Sequence, residues 1–216
     1  MRVSFPSWSD TAFRIALLAM VALPLALVSA LLIWVRTPYY ENRGYVNDQP
    51  VQFDHRHHVA DDGIDCLYCH GDALRSKNAG VPSTELCMGC HAQVWPASIA
   101  LEPVRRSYYS GVPLHWNRVH KLADYVYFDH SIHVNKGVGC SSCHGRVDQM
   151  ALDYQVAPLT MGWCLECHRD PEPRIRPFDE ITSMTWKPRA HDDPEGRALV
   201  ERYDVQKKTN CTTCHR

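Results

Sequence analysis

Five copies of one pentad carry most of the chemistry that this sequence can do. Cys-x-x-Cys-His occurs as Cys66, Cys69 and His70; Cys87, Cys90 and His91; Cys140, Cys143 and His144; Cys164, Cys167 and His168; and Cys211, Cys214 and His215. All ten cysteines are used by it and none is left over. Two thiols at this spacing can add across the two vinyl groups of one porphyrin, and the adjoining histidine is then placed to bind the iron, so C-x-x-C-H is the attachment sequence for haem c. A disulfide framework also uses an even number of cysteines, but it gives no reason for a histidine after every second one. Structural zinc takes paired knuckles, and five pairs do not divide into four-coordinate sites. The expectation is five covalently attached haem c groups with their iron.

Eight histidines remain after the five proximal ones: His55, His57, His58, His115, His120, His130, His133 and His191. That is more than five irons can use as distal ligands. An internal repeat selects among them. "FDHRHHVADDGIDCLYCHG" from Phe53 and "FDHSIHVNKGVGCSSCHG" from Phe128 share Phe-Asp-His-x-x-His-Val, with one residue more between Val59 and Cys66 in the first copy. The shared positions are His55 with His58 and His130 with His133, whereas His57 falls where the second copy has Ile132 and reads as a surface histidine. Imidazoles three residues apart lie on one side of a helical turn but aim differently, which suits two irons better than one. His120 is the first choice for the remaining distal ligand, ahead of His191 and His115. A thioether would raise the potential of its haem relative to a second imidazole, and Met184 leads Met161 and Met150 as that candidate. Met88 lies inside a pentad, and every methionine has the plainer role of packing against a porphyrin face. Arg105, Arg106, Arg174 and Arg176 are candidate propionate partners, against the alternative of a solvated surface.

With roughly 36 exported residues to each pentad, the chain is too short to build a separate apolar core around every cofactor. The fold class expected is a multihaem cytochrome c, mostly short α-helices and loops around stacked haems, with one N-terminal transmembrane helix. Short helices should start at the pentads. An independent one should start at "DDPEGRALVERY", with Asp193 as cap and Pro194 in the first turn. "YVYF" at 125–128 is a weak strand signal. The run "IALLAMVALPLALVSALLIWV", residues 15–35, holds no charge, is bracketed by Arg14 and Arg36, and is long enough to cross a bilayer. Pro24 would loosen that helix without forbidding it, and Trp34, Tyr39 and Tyr40 suit the interface. A cleaved signal peptide could end at "VSA", 28–30, yet apolar sequence continues to Val35, which favours a retained anchor. Arg2 and Arg14 favour a cytoplasmic N-terminus. Arg36 works against that, but haem c attachment on the periplasmic or equivalent positive side puts residues 37–216 there. The chain therefore divides into a cytoplasmic start (1–14), the anchor (15–35), a linker (36–52), a first two-haem module (53–91), a connector (92–127), a second two-haem module (128–168) and a segment with the fifth haem (169–216). A net charge of -1 points to no nucleic acid partner.

The Phe-x-His-x-x-His segment resembles that of the class III multihaem cytochromes, where it supplies distal ligands to two haems. The resemblance implies that His55 and His130 cap the haems at Cys66 and Cys140, and that His58 and His133 reach neighbours. The anchor, the doubled module and the stretches "VHKLADYVYFDHSIHV" and "LTMGWCLECHR" resemble, over essentially the whole chain, the pentahaem cytochrome c subunit of the alternative complex III family. Ala123 stands where related stretches would have proline. The resemblance implies a quinol-oxidising respiratory or photosynthetic complex in a bacterial inner membrane. Its partners would be polytopic quinol-site subunits, an iron-sulfur subunit, and a monohaem cytochrome c or other periplasmic carrier. An electron-transfer subunit of this kind would do no substrate chemistry of its own. One rival is a quinol dehydrogenase cytochrome feeding a periplasmic reductase, in which a haem close to the membrane meets quinol; here roughly 30 residues separate the span from Cys66. A multihaem enzyme would need one iron with a vacant face and acid/base groups around it, and the surplus of histidines argues against vacancy.

Overall fold

The computed structural model describes residues 4–215, so Arg2, used above to orient the anchor, lies outside the described residues. The chain divides after Arg43 into two compact units.

In the first unit α1 (Ser9–Trp34) runs without a break through Pro24, which withholds only one hydrogen bond. The helix begins ahead of the uncharged run, and there Asp10 and Arg14, one turn apart, pair at 2.9 Å. Its 26 residues span about 39 Å, more than the roughly 30 Å of a bilayer's hydrocarbon core. None of its residues is buried, so α1 presents apolar side chains on every side and is long and apolar enough to cross a membrane. At its end Arg36 Nη1 donates to the Leu32 carbonyl at 2.8 Å, and the Thr37 hydroxyl donates to that of Trp34 at 2.7 Å. The first of these bonds satisfies a carbonyl that the last turn would leave open. Trp34 packs edge-on against Tyr40 at 5.0 Å.

The second unit is rich in short helices and loops, and no strand occurs among the described residues. Its elements are a π-helical turn (Arg56–Asp61), α2 (Cys66–Cys69), α3 (Thr84–His91), α4 (Glu102–Ser110), α5 (His130–Asn135), α6 (Ser141–His144), α7 (Met161–Arg169), α8 (Pro194–Arg202) and α9 (Cys211–Cys214). Extended pairing is limited to isolated bridges, Val46 with Tyr154, Val126 with His215, and Val138 with Ile175. The weak strand signal at 125–128 yields only the second of these. α8 forms where expected, with the Asp193 carboxylate accepting from the amides of Glu195 and Gly196, both at 3.0 Å. α4 arises inside the stretch read as a connector. Its signals were a proline in the first turn and Gly111 just past the end, in the left-handed region at φ 70°. Two small apolar clusters hold the unit. One joins Val51, Met88 and Val104 to Cys87 and Trp116, and the other joins Ala73, Val134 and Ile181 to Leu67 and Cys140. Both contain pentad residues, so the attachment turns belong to the packed interior.

Candidate haem sites

Each pentad is wound on a helical turn, which brings its two cysteines to one side and delivers the histidine at the end. Asp65 caps α2 by accepting from the Leu67 amide at 2.8 Å, and the Thr160 hydroxyl caps α7 by accepting from that of Trp163 at 3.4 Å. In the first, third and fifth pentads the histidine amide donates back to the first cysteine's carbonyl, His70 at 2.9 Å, His144 at 3.0 Å and His215 at 2.9 Å. None of the ten cysteines is bonded to another in a disulfide.

The histidines are aimed by their Nδ1 atoms. Nδ1 donates to a backbone carbonyl in His58 (Asp54, 2.9 Å), His70 (Gly80, 2.8 Å), His91 (Val94, 3.0 Å), His130 (Lys77, 2.8 Å), His133 (Asp129, 2.8 Å) and His215 (Tyr125, 3.3 Å). A carbonyl can only accept, so these bonds fix the tautomer and leave Nε2 with a free lone pair, the arrangement of a metal-ligating imidazole. The rings also come together in pairs. His58 lies 6.1 Å from His91, His133 6.1 Å from His168, and His130 6.4 Å from His144, centroid to centroid. A metal between two imidazoles at bonds of about 2.0 Å would hold the centroids roughly 6 Å apart. The donor set therefore fits haem iron.

Residues 126–216 match the family described as cytochrome c7 and related cytochrome c. The chain is also 34% identical, over 102 residues, to a multihaem cytochrome c subunit of menaquinone reductase from Nitratidesulfovibrio vulgaris, a match covering 45% of this chain and 46% of that protein. The chain thus spans about half the length of the relative it matches. The chain carries a multihaem cytochrome c domain. Haem c in the matched family is covalent, and the pentads carry thiols at the spacing such attachment uses.

His144 is the most crowded imidazole of the cytochrome. Burial drives its pKa down to about 3, helped by the charges of His120, His130, His70 and His55. His120 stands 4.2 Å from it. His120 is itself held down to about 4 by burial and by His130, and its Nε2 is buried with no partner. His55, lowered to about 4 by burial and then by His70 and His58, has a buried Nδ1 with no partner and so departs from the carbonyl pattern of the other histidines. Thus His55, His70, His120, His130 and His144 gather at one place. The ring beside His215 is that of Tyr125, at 5.7 Å.

The other candidates fall elsewhere. His57 directs its two ring nitrogens at Asp61 and Asp62 and stacks on Trp95 at 5.4 Å, as a surface histidine would. His191 is exposed and pairs with Asp170. His115 is exposed, Met161 is exposed, Met150 and Met88 are buried, and Met184 is half-buried. Arg105 donates to the Ser98 carbonyl at 2.8 Å, Arg106 faces Glu102 at 3.8 Å, and Arg174 pairs with Glu166 at 3.2 Å.

Arg176 behaves differently, and sequence reasoning did not see its role. At 1% exposure it passes over Gly139, where a Cβ would lie 2.1 Å from Cζ, and it grips the third attachment turn. The glycine one residue before Cys140 was the only trace of this in the sequence.

The thiols show which attachment turns lie near one another. The charges of Cys66 and Cys90 act on Cys69, and that of Cys69 on Cys87. Leu67 of the first turn and Cys140 of the third pack in one apolar cluster. Burial pushes Cys143 up to about 12, aided by Cys167 and Cys164, while Cys214 acts on Cys164. The first turn is thus near the second and the third, and the fourth is near the third and the fifth.

Proposed function

We propose that this cytochrome is the pentahaem electron-transfer subunit of a quinol-oxidising membrane complex of the alternative complex III type, with α1 as its anchor. Haem c supplies a one-electron iron couple, and the protein sets ligands, spacing and burial. The observation that carries the reading is the pairing of imidazoles, His58 with His91, His130 with His144 and His133 with His168, at separations of 6.1, 6.4 and 6.1 Å. Two imidazoles per iron leave no face for a substrate, and what remains is outer-sphere transfer. His70, His91, His144, His168 and His215 are the proximal ligands in this reading, with His58, His130 and His133 opposite three of them. His55 serves the site at His70, and His120, crowded against His144, is the alternative to His130. Met184 is the candidate for an iron without a second imidazole. The proximity of the attachment turns to one another supports passage of electrons through the domain.

Residues 4–14 stay on the cytoplasmic side and 37–215 on the positive side of the membrane in this account. The polytopic quinol-site subunits, the iron-sulfur subunit and the periplasmic carrier are the partners. The relative's name, a menaquinone reductase subunit, favours a second reading in which the same haems deliver electrons to a quinone; a chain of closed haems has no intrinsic direction. Low-temperature electron paramagnetic resonance of the oxidised protein, with a haem count on the same sample, tests the core of the proposal. Five low-spin ferric haems are expected. A stoichiometric high-spin haem that binds nitrite or carbon monoxide would overturn it in favour of an enzyme. Subunits and quinol or quinone turnover in gently solubilised membranes then separate the two directions.

A further inference from the structure

Arg176 carries a charge that nothing in the chain neutralises. Its Nη1 donates to the carbonyls of Glu180 at 3.2 Å and Ser183 at 3.0 Å, and its Nη2 to the hydroxyls of Ser141 at 3.2 Å and Ser142 at 3.0 Å. Its Nε is buried with no partner, and the guanidinium lies 4.2 Å over the ring of Trp186. Every oxygen it meets is neutral. Arg189, on the same indole at 5.5 Å, shows the contrast, because it pairs with Glu195 at 2.6 Å and Asp193 at 3.5 Å. The nearby groups whose charge would favour the guanidinium are Cys140, Cys143 and the exposed Glu180. Once the two thiols become thioethers, they can no longer be anions. A carboxylate in solvent then remains, which water screens.

The location decides what this charge can do. Ser141 and Ser142 are the two residues between the attachment cysteines of the third pentad, and Gly139 precedes them. The segment around Arg176 is tied to the same turn by the Arg176 amide donating to the Gly137 carbonyl at 2.9 Å and the Cys140 amide donating to that of Ile181 at 3.0 Å. Arg176 is the only buried cation among the described residues. The nearest equivalent, Arg174 at the fourth attachment turn, is bound to Glu166 inside that pentad.

We propose that Arg176 is a positioning residue and a fixed electrostatic bias for the haem at Cys140 and Cys143, raising its potential above what its axial ligands alone would set. A buried cation disfavours the iron state with one more positive charge, and in a poorly solvated interior that effect is not screened away. With haem bound, the step that Arg176 biases would be the passage of one electron from a ferrous neighbour to the ferric third haem, with no bond formed or broken. Arg176 thereby favours the reduced state of the haem at the third attachment turn over what the same ligands would give without the cation.

The inference rests on the proposed haem-bearing reading, and the experiment separates the two. Wild-type, Arg176→Gln and Arg176→Lys proteins are purified with their anchor, their haems counted, and their midpoint potentials resolved by optical and paramagnetic redox titration. Absence of five haems in the wild type would defeat the functional reading itself. With haem content intact, one component of R176Q should move to lower potential while the others stay, and R176K should keep the wild-type value. Unchanged potentials in R176Q, or an equal drop in R176K, would overturn the electrostatic role and leave only a hydrogen-bonding one. If R176Q loses a haem, Ser142→Asp sets a carboxylate against the guanidinium without removing it. The same component should then fall, and an unchanged potential would overturn the inference.

Discussion

The two copies of the Phe-Asp-His-x-x-His segment solve one problem with different backbones. In the first, Phe53 stacks on His58 at 4.3 Å and meets His55 edge-on at 4.8 Å; in the second, Phe128 stacks on His133 at 4.5 Å and meets His130 edge-on at 4.8 Å. The second histidine of each is bonded through Nδ1 to the aspartate's carbonyl and stands 6.1 Å from the histidine of its module's second pentad. Around this shared frame the chains diverge. The second copy is an α-helix, α5, capped by Asp129, whose carboxylate accepts from the amides of Ser131 at 2.8 Å and Ile132 at 3.4 Å. The first is a π-helical turn, and Asp54 instead holds Arg56 through its amide at 2.9 Å and its side chain at 3.1 and 2.8 Å. The wider turn, closed by the Asp62 amide on the His57 carbonyl at 3.0 Å, absorbs the extra residue before Cys66. What is held fixed is the aim of the histidines, and the helix type is free to vary.

The largest expected effect is on ligation. His58→Ala and His133→Ala should each convert one low-spin haem to high-spin, visible by paramagnetic resonance, and the two variants should match; an effect in only one copy would break the equivalence. Next come the stacked rings. Phe53→Ala and Phe128→Ala should each cost about 2 kcal/mol in denaturant unfolding, below the usual loss for a fully buried phenylalanine because both are half-buried.

The caps should then separate the copies. Asp129→Ala should cost about 1 kcal/mol and Asp54→Ala within about 0.5 kcal/mol. The Ser131 hydroxyl, aided by the amides, holds Asp129 below the ordinary 3.8. Its contribution is therefore complete above that value and is lost as pH falls through the lowered one, so the gap between D129A and wild type should close in acid. The smallest effect is expected from deleting Asp62, which gives the first copy the length of the second; both haems of that module should remain low-spin.

The attachment turns and the repeat could be read from the sequence because covalent chemistry and paired histidines leave fixed spacings. Asp193 and Pro194 announced α8 in the same local way. α4 had equally local signals in Pro103 and Gly111, but it lies between modules, where no haem motif drew attention to it. Arg176 is one of four candidate propionate partners, but its grip on the third attachment turn could not be found by pattern. Its partners lie 34 and 35 residues away at Ser142 and Ser141, and only folding brings them together. The association of His120 and His144 is of the same long-range kind, made by ring packing at 4.2 Å with no motif to announce it.

The reach of residues 170–215 bears on how such a chain can change length. Arg176 grips the third attachment turn, Ile181 packs with Ala73 and Val134, and the Cys214 carbonyl accepts from the Tyr127 amide at 2.8 Å. Shortening the chain behind α7 would therefore strip support from turns that precede it. The stretch that carries the fifth pentad is a brace for its forerunners and no detachable bead.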